Sequence, residues 1–163
     1  MLKPASLRDA LTAALPELER DPERLVMVIE TGNILNTGTA ALSWEYRYTL
    51  AITVLDWAGH ADAIIAPLLL WAKHNQPELF DNPERRERAL RFKVDFLSTT
   101  TVDLRLEIDL SEAVLARPRA GTPGALNLIH KPEPPSPLAI LQREHWEFFI
   151  RDEKVAIWDY EPR

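Results

Sequence analysis

The chain has 163 residues, 46% of them hydrophobic and 27% charged, with a formal net charge of −6 and no cysteine. That length and ordinary composition read as one domain over residues 1–163 with a single core. The missing thiols exclude disulfides, thiolate metal sites and cysteine nucleophiles and suit a reducing cytosol, while the negative charge argues against a broad phosphate-binding surface, which needs clustered Lys and Arg.

Ser6-Leu7-Arg8-Asp9 looks like the start of a helix, with Ser6 as N-cap and an apolar stripe of Leu7, Leu11, Ala14 and Leu15 that Pro16 ends. Asp21 to Arg24 reads as a turn, and the uniformly apolar Leu25 to Ile29 as a buried strand. Thr31 to Thr39, with two glycines and two asparagines suited to positive φ, is the expected tip of a long hairpin. Ile34 and Leu35 at that tip either fold back on the body or reach a partner.

From Leu42 to Val54, apolar residues occupy every even position: Leu42, Trp44, Tyr46, Tyr48, Leu50, Ile52 and Val54. A period of two over this stretch predicts a strand. At roughly 3.3 Å per residue it spans about 43 Å, longer than an ordinary strand. It must bend, pair with a long neighbour or meet another subunit. Trp44, Tyr46 and Tyr48 could stack bases on an open sheet, but Glu45 and the overall charge favour core packing or subunit contact.

Ile64, Ile65, Leu68, Trp71 and Ala72 then recur at helical spacing. Pro67 requires the helix to begin near Ala63 or to kink, and Pro77 closes it. Pro16-Glu17-Leu18 and Pro22-Glu23-Arg24 return as Pro77-Glu78-Leu79 and Pro83-Glu84-Arg85, 61 positions later in both cases. This suggests a twofold helix-strand-strand arrangement, or two connections that converged on the same turn chemistry. The mixed-sign run Glu84 to Arg88 reads as a solvated charged face rather than a phosphate site.

Leu90 to Phe96 and Val102 to Leu110 alternate apolar with charged residues and predict a second hairpin with one packed and one solvated face. Arg117 to Pro137 carries proline-rich loops around a short strand, Ala125 to His130, and Ser136-Pro137 opens a short helix through Leu141. His145 to Ile150 and Lys154 to Tyr160 form a closing hairpin. Trp146, Phe148, Phe149, Ile157, Trp158 and Tyr160 make it aromatic-rich, suited to core closure or an interface.

Little of this is catalytic. The four histidines, His60, His74, His130 and His145, are far apart and read as surface or capping residues rather than ligands or bases. Asp62 near His60 and Glu144 beside His145 are the nearest acid-base pairings, yet sequence neighbours usually point apart. No phosphate-cradling glycine loop or nucleophile elbow occurs. No catalytic residue, cofactor or metal site is expected. No apolar run reaches the roughly 18 residues of a membrane span, and the start lacks a signal-peptide stretch, so the chain is expected to stay where it is made.

Met1-Leu-Lys-Pro-Ala-Ser-Leu-Arg8, Leu15-Pro-Glu-Leu18, Pro22-Glu-Arg-Leu25, Ile29-Glu-Thr-Gly-Asn33 and Trp44-Glu-Tyr-Arg-Tyr-Thr-Leu50 together resemble the phage tail completion protein R (GpR) family of contractile-tailed temperate phages. Gly59-His60-Ala61-Asp62, the helix around Leu68 to Trp71, Gln76-Pro-Glu-Leu79 and the aromatic hairpin extend the likeness over nearly the whole chain. The resemblance implies a structural virion protein that finishes the tail so that it can join the filled head. Its implied partners are further copies of itself in a ring, sixfold by analogy with tail terminators, the tail tube protein and head completion or connector proteins. It implies no membrane and no sequence-specific nucleic acid binding, and a place in the host cytoplasm and then in the virion tail.

The expected fold is α+β, an antiparallel sheet of long hairpins with two main helices packed on one face, tail-terminator-like. The expected interface residues are Ile34, Leu35, Trp44, Tyr46, Tyr48, Trp146, Phe149 and Trp158. A monomeric peptide- or ligand-binding regulatory domain without catalytic activity is the alternative, and an unrecognised hydrolase a third.

Overall fold

A computed structural model describes residues 1–36, 38, 41–134 and 143–160, with residue 160 described for its backbone alone. Helix α1 covers Lys3–Ala14, and Leu7, Leu11 and Ala14 are buried, as is Leu15 beyond it. The start differs from the expectation at Ser6. The helix opens at Lys3 with a proline in its first turn, where the missing N–H would have had no helical partner. Ser6 lies inside, and its Oγ accepts a hydrogen bond from Trp71 Nε1 at 3.1 Å. A short helix α2 (Pro16–Arg20) and a 3-10 turn (Pro22–Arg24) follow, with Leu18 buried beneath them.

Strand β1 spans Leu25–Asn36 and β2 spans Trp44–Trp57, paired antiparallel from Leu25 opposite Val54 to Asn36 opposite Trp44. Two expectations are corrected here. Leu25 to Ile29 is not buried on both faces, because the helices cover only one face of the sheet: Leu25, Met27 and Ile29 turn toward the core while Val26 and Val28 are exposed. Ile34 and Leu35 are not at the turn, because the strand resumes after an irregularity between Ile29 and Gly32 and places them opposite Tyr46 and Glu45. Gly32 is needed there: an added Cβ would lie 3.0 Å from Tyr48 Cβ and 3.2 Å from the Arg47 carbonyl oxygen.

Helix α3 (Asp62–Asn75) begins beside Ala63 and carries Pro67 within it, buried among Ile64, Leu68 and Trp71. Two short helices, α4 (Glu78–Asp81) and α5 (Pro83–Arg86), lead to β3 (Leu90–Phe96). The proline-acid repeat thus recurs in three dimensions, since each unit runs long helix, short helical turns, outer strand, inner strand. The sheet order β1-β2-β4-β3 sets the two inner strands side by side.

β4 spans Val102–Pro118, well past the expected end at Leu110, and β5 (Leu126–His130) pairs with its last residues. Leu104, Leu106, Ile108 and Leu110 join Leu50, Ile52 and Val54 in the buried face that α1 and α3 cover. Strand β2, of 14 residues, is paired along nearly its whole length by long neighbours, β1 of 12 residues on one side and β4 of 17 on the other. Its length alone therefore does not require another subunit.

The closing hairpin is β6 (Glu144–Ile150) with β7 (Glu153–Tyr160), a separate two-stranded sheet. Arg151 and Asp152 make its turn with φ of 48° and 68°, the positive pair that suits the twist of a two-residue hairpin. β7 packs on α1 and α3, with Ala156 and Trp158 buried in the core. The helices are thus held between the large sheet and this hairpin. The expected helix from Ser136 to Leu141 lies outside the described residues.

Candidate assembly surfaces

β4 has two partners along its second edge and a gap between them. β3 pairs with Val102 to Ile108 and β5 with Val114 to Pro118. Side chains fill the gap. Gln76 Oε1 accepts from Ser111 N at 3.1 Å, and Lys3 Nζ donates to Ser111 O at 2.7 Å and to Gln76 Oε1 at 2.6 Å. Gln76, only 1% exposed, therefore stands in for a missing strand.

One residue on, Glu112 occupies a position of β4 whose neighbours Leu110 and Val114 are buried, and it is itself 5% exposed. A carboxylate is tolerated there because its oxygens are saturated: Oε2 accepts Leu2 N at 2.7 Å, and Oε1 accepts Tyr48 OH at 2.6 Å and Lys3 N at 3.3 Å. These amides are the orphan N–H groups opening α1, where negative charge is favoured. Burial pushes the Glu112 carboxyl upward, but the bonds from Tyr48 and the two amides outweigh it and hold the group below its ordinary range. Burial and the same carboxylate drive the Tyr48 phenol well above its ordinary value, so it stays protonated and donating. His130 Nδ1 lies 3.2 Å from Glu112 Oε2. This cluster pins the amino-terminal helix to the sheet.

The opposite face of the sheet is polar. Arg91 bonds Glu107 and Asp109, and Arg105 bonds Glu30 and Glu107, linking three strands. Hydrogen bonds from Arg105 and Arg91 lower the Glu107 carboxyl. Burial raises that of Asp109, but bonds from Arg91 and Thr49 bring it below its usual range. Beside this face, a cleft of about 910 Å³ is lined by Gly32, Arg47, Thr49, Glu78, Glu87 and Asp109, among others. Its charges are largely paired within the chain, Arg47 with Glu45 and Arg85 with Glu78.

Of the residues expected at an interface, Tyr48 and Trp158 are enclosed in the core, Tyr48 serving Glu112 and Trp158 holding the hairpin. Trp44 and Tyr46 are half-buried and meet edge to face with ring centroids 5.9 Å apart. Ile34, Leu35, Trp146 and Phe149 are exposed. The structure does not bring these into one patch: Ile34 and Leu35 sit on the β1 edge, Trp146 and Phe149 on β6 of the other sheet. Sequence reasoning missed Phe92 and Phe96, exposed at 73% and 82%, because their alternation marks a packed face and says nothing of whether this chain supplies the packing.

The histidines stay apart. His60 lies by Asp62, His145 by Asp159, and His74 bonds the Leu70 carbonyl on its own helix. Among the described residues no three His, Cys, Asp or Glu side chains group as metal ligands, and no helix is long and apolar enough to cross a membrane.

The family model of the P2 phage tail completion protein R (GpR) matches residues 1–134, most of the chain. The chain belongs to the P2 phage tail completion protein R family. The match ends just after β5, so β6 and β7 lie beyond it. A relative that spans them is the tail completion protein R of Escherichia phage P2, 35% identical over 159 residues, which covers 98% of this chain and 99% of that protein. The chain is therefore a structural tail completion protein of the GpR family. No solved structure matches it.

Proposed function

We propose that this chain works as one tail-terminator-like domain that assembles as a ring on the end of the tail tube and makes the tail competent to join the filled head. What supports the reading is its membership of the tail completion family over nearly its full length, together with apolar rows left uncovered at both edges of its main sheet. A closed ring needs two different surfaces per subunit, and the two edges differ. Its partners are sister copies, the tube protein and the head completion proteins, met in the host cytoplasm and retained in the virion tail. The role is structural rather than enzymatic, and its acidic surface would let DNA pass without being gripped.

The test is deletion of the gene from the phage or prophage that encodes it. Micrographs of the lysate should show filled heads beside defective or unjoined tails, with infectivity restored by the gene supplied in trans. Infectious particles without the protein would contradict the role.

A further inference from the structure

The main sheet is open along β1 on one side and along β3 and the short β5 on the other. Among the described strands, β1 bonds only to β2 and β3 only to β4. An open edge is a template for another strand. β3 has a second need: Leu90, Phe92, Val94 and Phe96 stand opposite Ile108, Leu106, Leu104 and Val102, on the side that the helices cover elsewhere, yet Phe92 and Phe96 are the most exposed large apolar side chains of the sheet.

Strand direction limits what can cover them. All neighbours in the order β1-β2-β4-β3 are antiparallel, so β1 and β3 run in opposite directions. A second copy rotated about an axis along the strands presents its β1 antiparallel to β3 and continues the sheet. The same rotation keeps the faces matched, bringing the row of Met27 and Ile29 beside that of Phe92 and Phe96. Pairing β3 with β3 or β1 with β1 through a twofold axis is also antiparallel, and charge decides between them. The β1 flank, residues 22–36, carries Glu23 and Glu30 against Arg24, a net of −1. The β3 flank, residues 83–97, carries Arg85, Arg86, Arg88, Arg91 and Lys93 against Glu84, Glu87 and Asp95, a net of +2 in an acidic chain. Like edges repel and unlike edges attract.

We propose that β3 of one copy pairs with β1 of the next, closing the ring through a continuous sheet that buries Phe92 and Phe96. This rests on the ring reading above and adds the contact that builds it. The absence of cysteine permits a direct test. Full-length Lys93→Cys and Val28→Cys chains, changed at exposed positions, are mixed and oxidised. The double variant is likewise oxidised on tails isolated from cells that produce it. The mixed disulfide should exceed either homodimer, the double variant should give a ladder of multimers, and adding Phe92→Asp should lower both yields about tenfold without changing the thermal melt. Dominant homodimers, or no cross-link on tails whose micrographs show a ring, would overturn this pairing and leave the ring standing. Tails that carry the protein without a ring would overturn both.

Discussion

Glu112 anchors the amino-terminal end of the molecule by offering a charged acceptor where two helix amides and a buried phenol would otherwise lack one. Glu112→Ala should lower stability by about 1–3 kcal/mol for the donors left unsatisfied, measured by urea unfolding. The carboxyl sits below its ordinary value in the fold, so the unfolded chain binds the extra proton in acid. Its contribution is present above the ordinary carboxylate pKa of 4.5 and fades as pH falls. The Tyr48 phenol is raised, so its contribution is present below the ordinary 10.0 and fades as pH climbs beyond it. The contribution of this pair should be flat between these limits, with Tyr48→Phe softening the alkaline decline and Glu112→Gln the acid one. None of this was legible in the sequence. Glu112 breaks an apolar alternation, which is why the strand reads as ending at Leu110, and its partners lie 64 and about 110 positions away.

At the scale of elements, the interrupted edge of β4 and the closing hairpin carry the packing. Gln76→Leu keeps the volume and removes the acceptor for Ser111 N–H, so a cost of about 1–3 kcal/mol is expected, with faster hydrogen exchange at Ser111 and unchanged exchange at Ile108. Trp158→Ala should cost about 3–5 kcal/mol because the ring fills the layer over α1 and α3. Trp146→Ala on the exposed strand of the same hairpin should cost less than about 1 kcal/mol. A reversal of that order by thermal unfolding would show β6 rather than β7 lying on the helices. The elements themselves were readable: periods of two and of about 3.6 placed both long hairpins, both long helices and the closing pair. Which aromatic of the closing hairpin turns inward was not, because β6 and β7 alternate alike and only docking on the helices distinguishes them.

For the whole molecule, the proline-acid repeat announced the order of elements, yet its odd offset of 61 cannot hold through the strands, where side chains alternate and both inner strands bury their even positions. The repeat is therefore one of topology, and its halves differ in charge at the two edges. That difference gives a subunit two unlike sides. Of the three ways to accommodate the long β2, pairing with long neighbours is the one taken, by β1 and β4, so its length does not by itself demand another subunit. The unmet demand lies instead on β3, in Phe92 and Phe96. Electron cryo-microscopy of the head-proximal end of intact tails measures the outcome most directly. It should show a closed ring of this chain seated on the tube, and a tail end without the protein, or with isolated copies in no ring, would contradict the account.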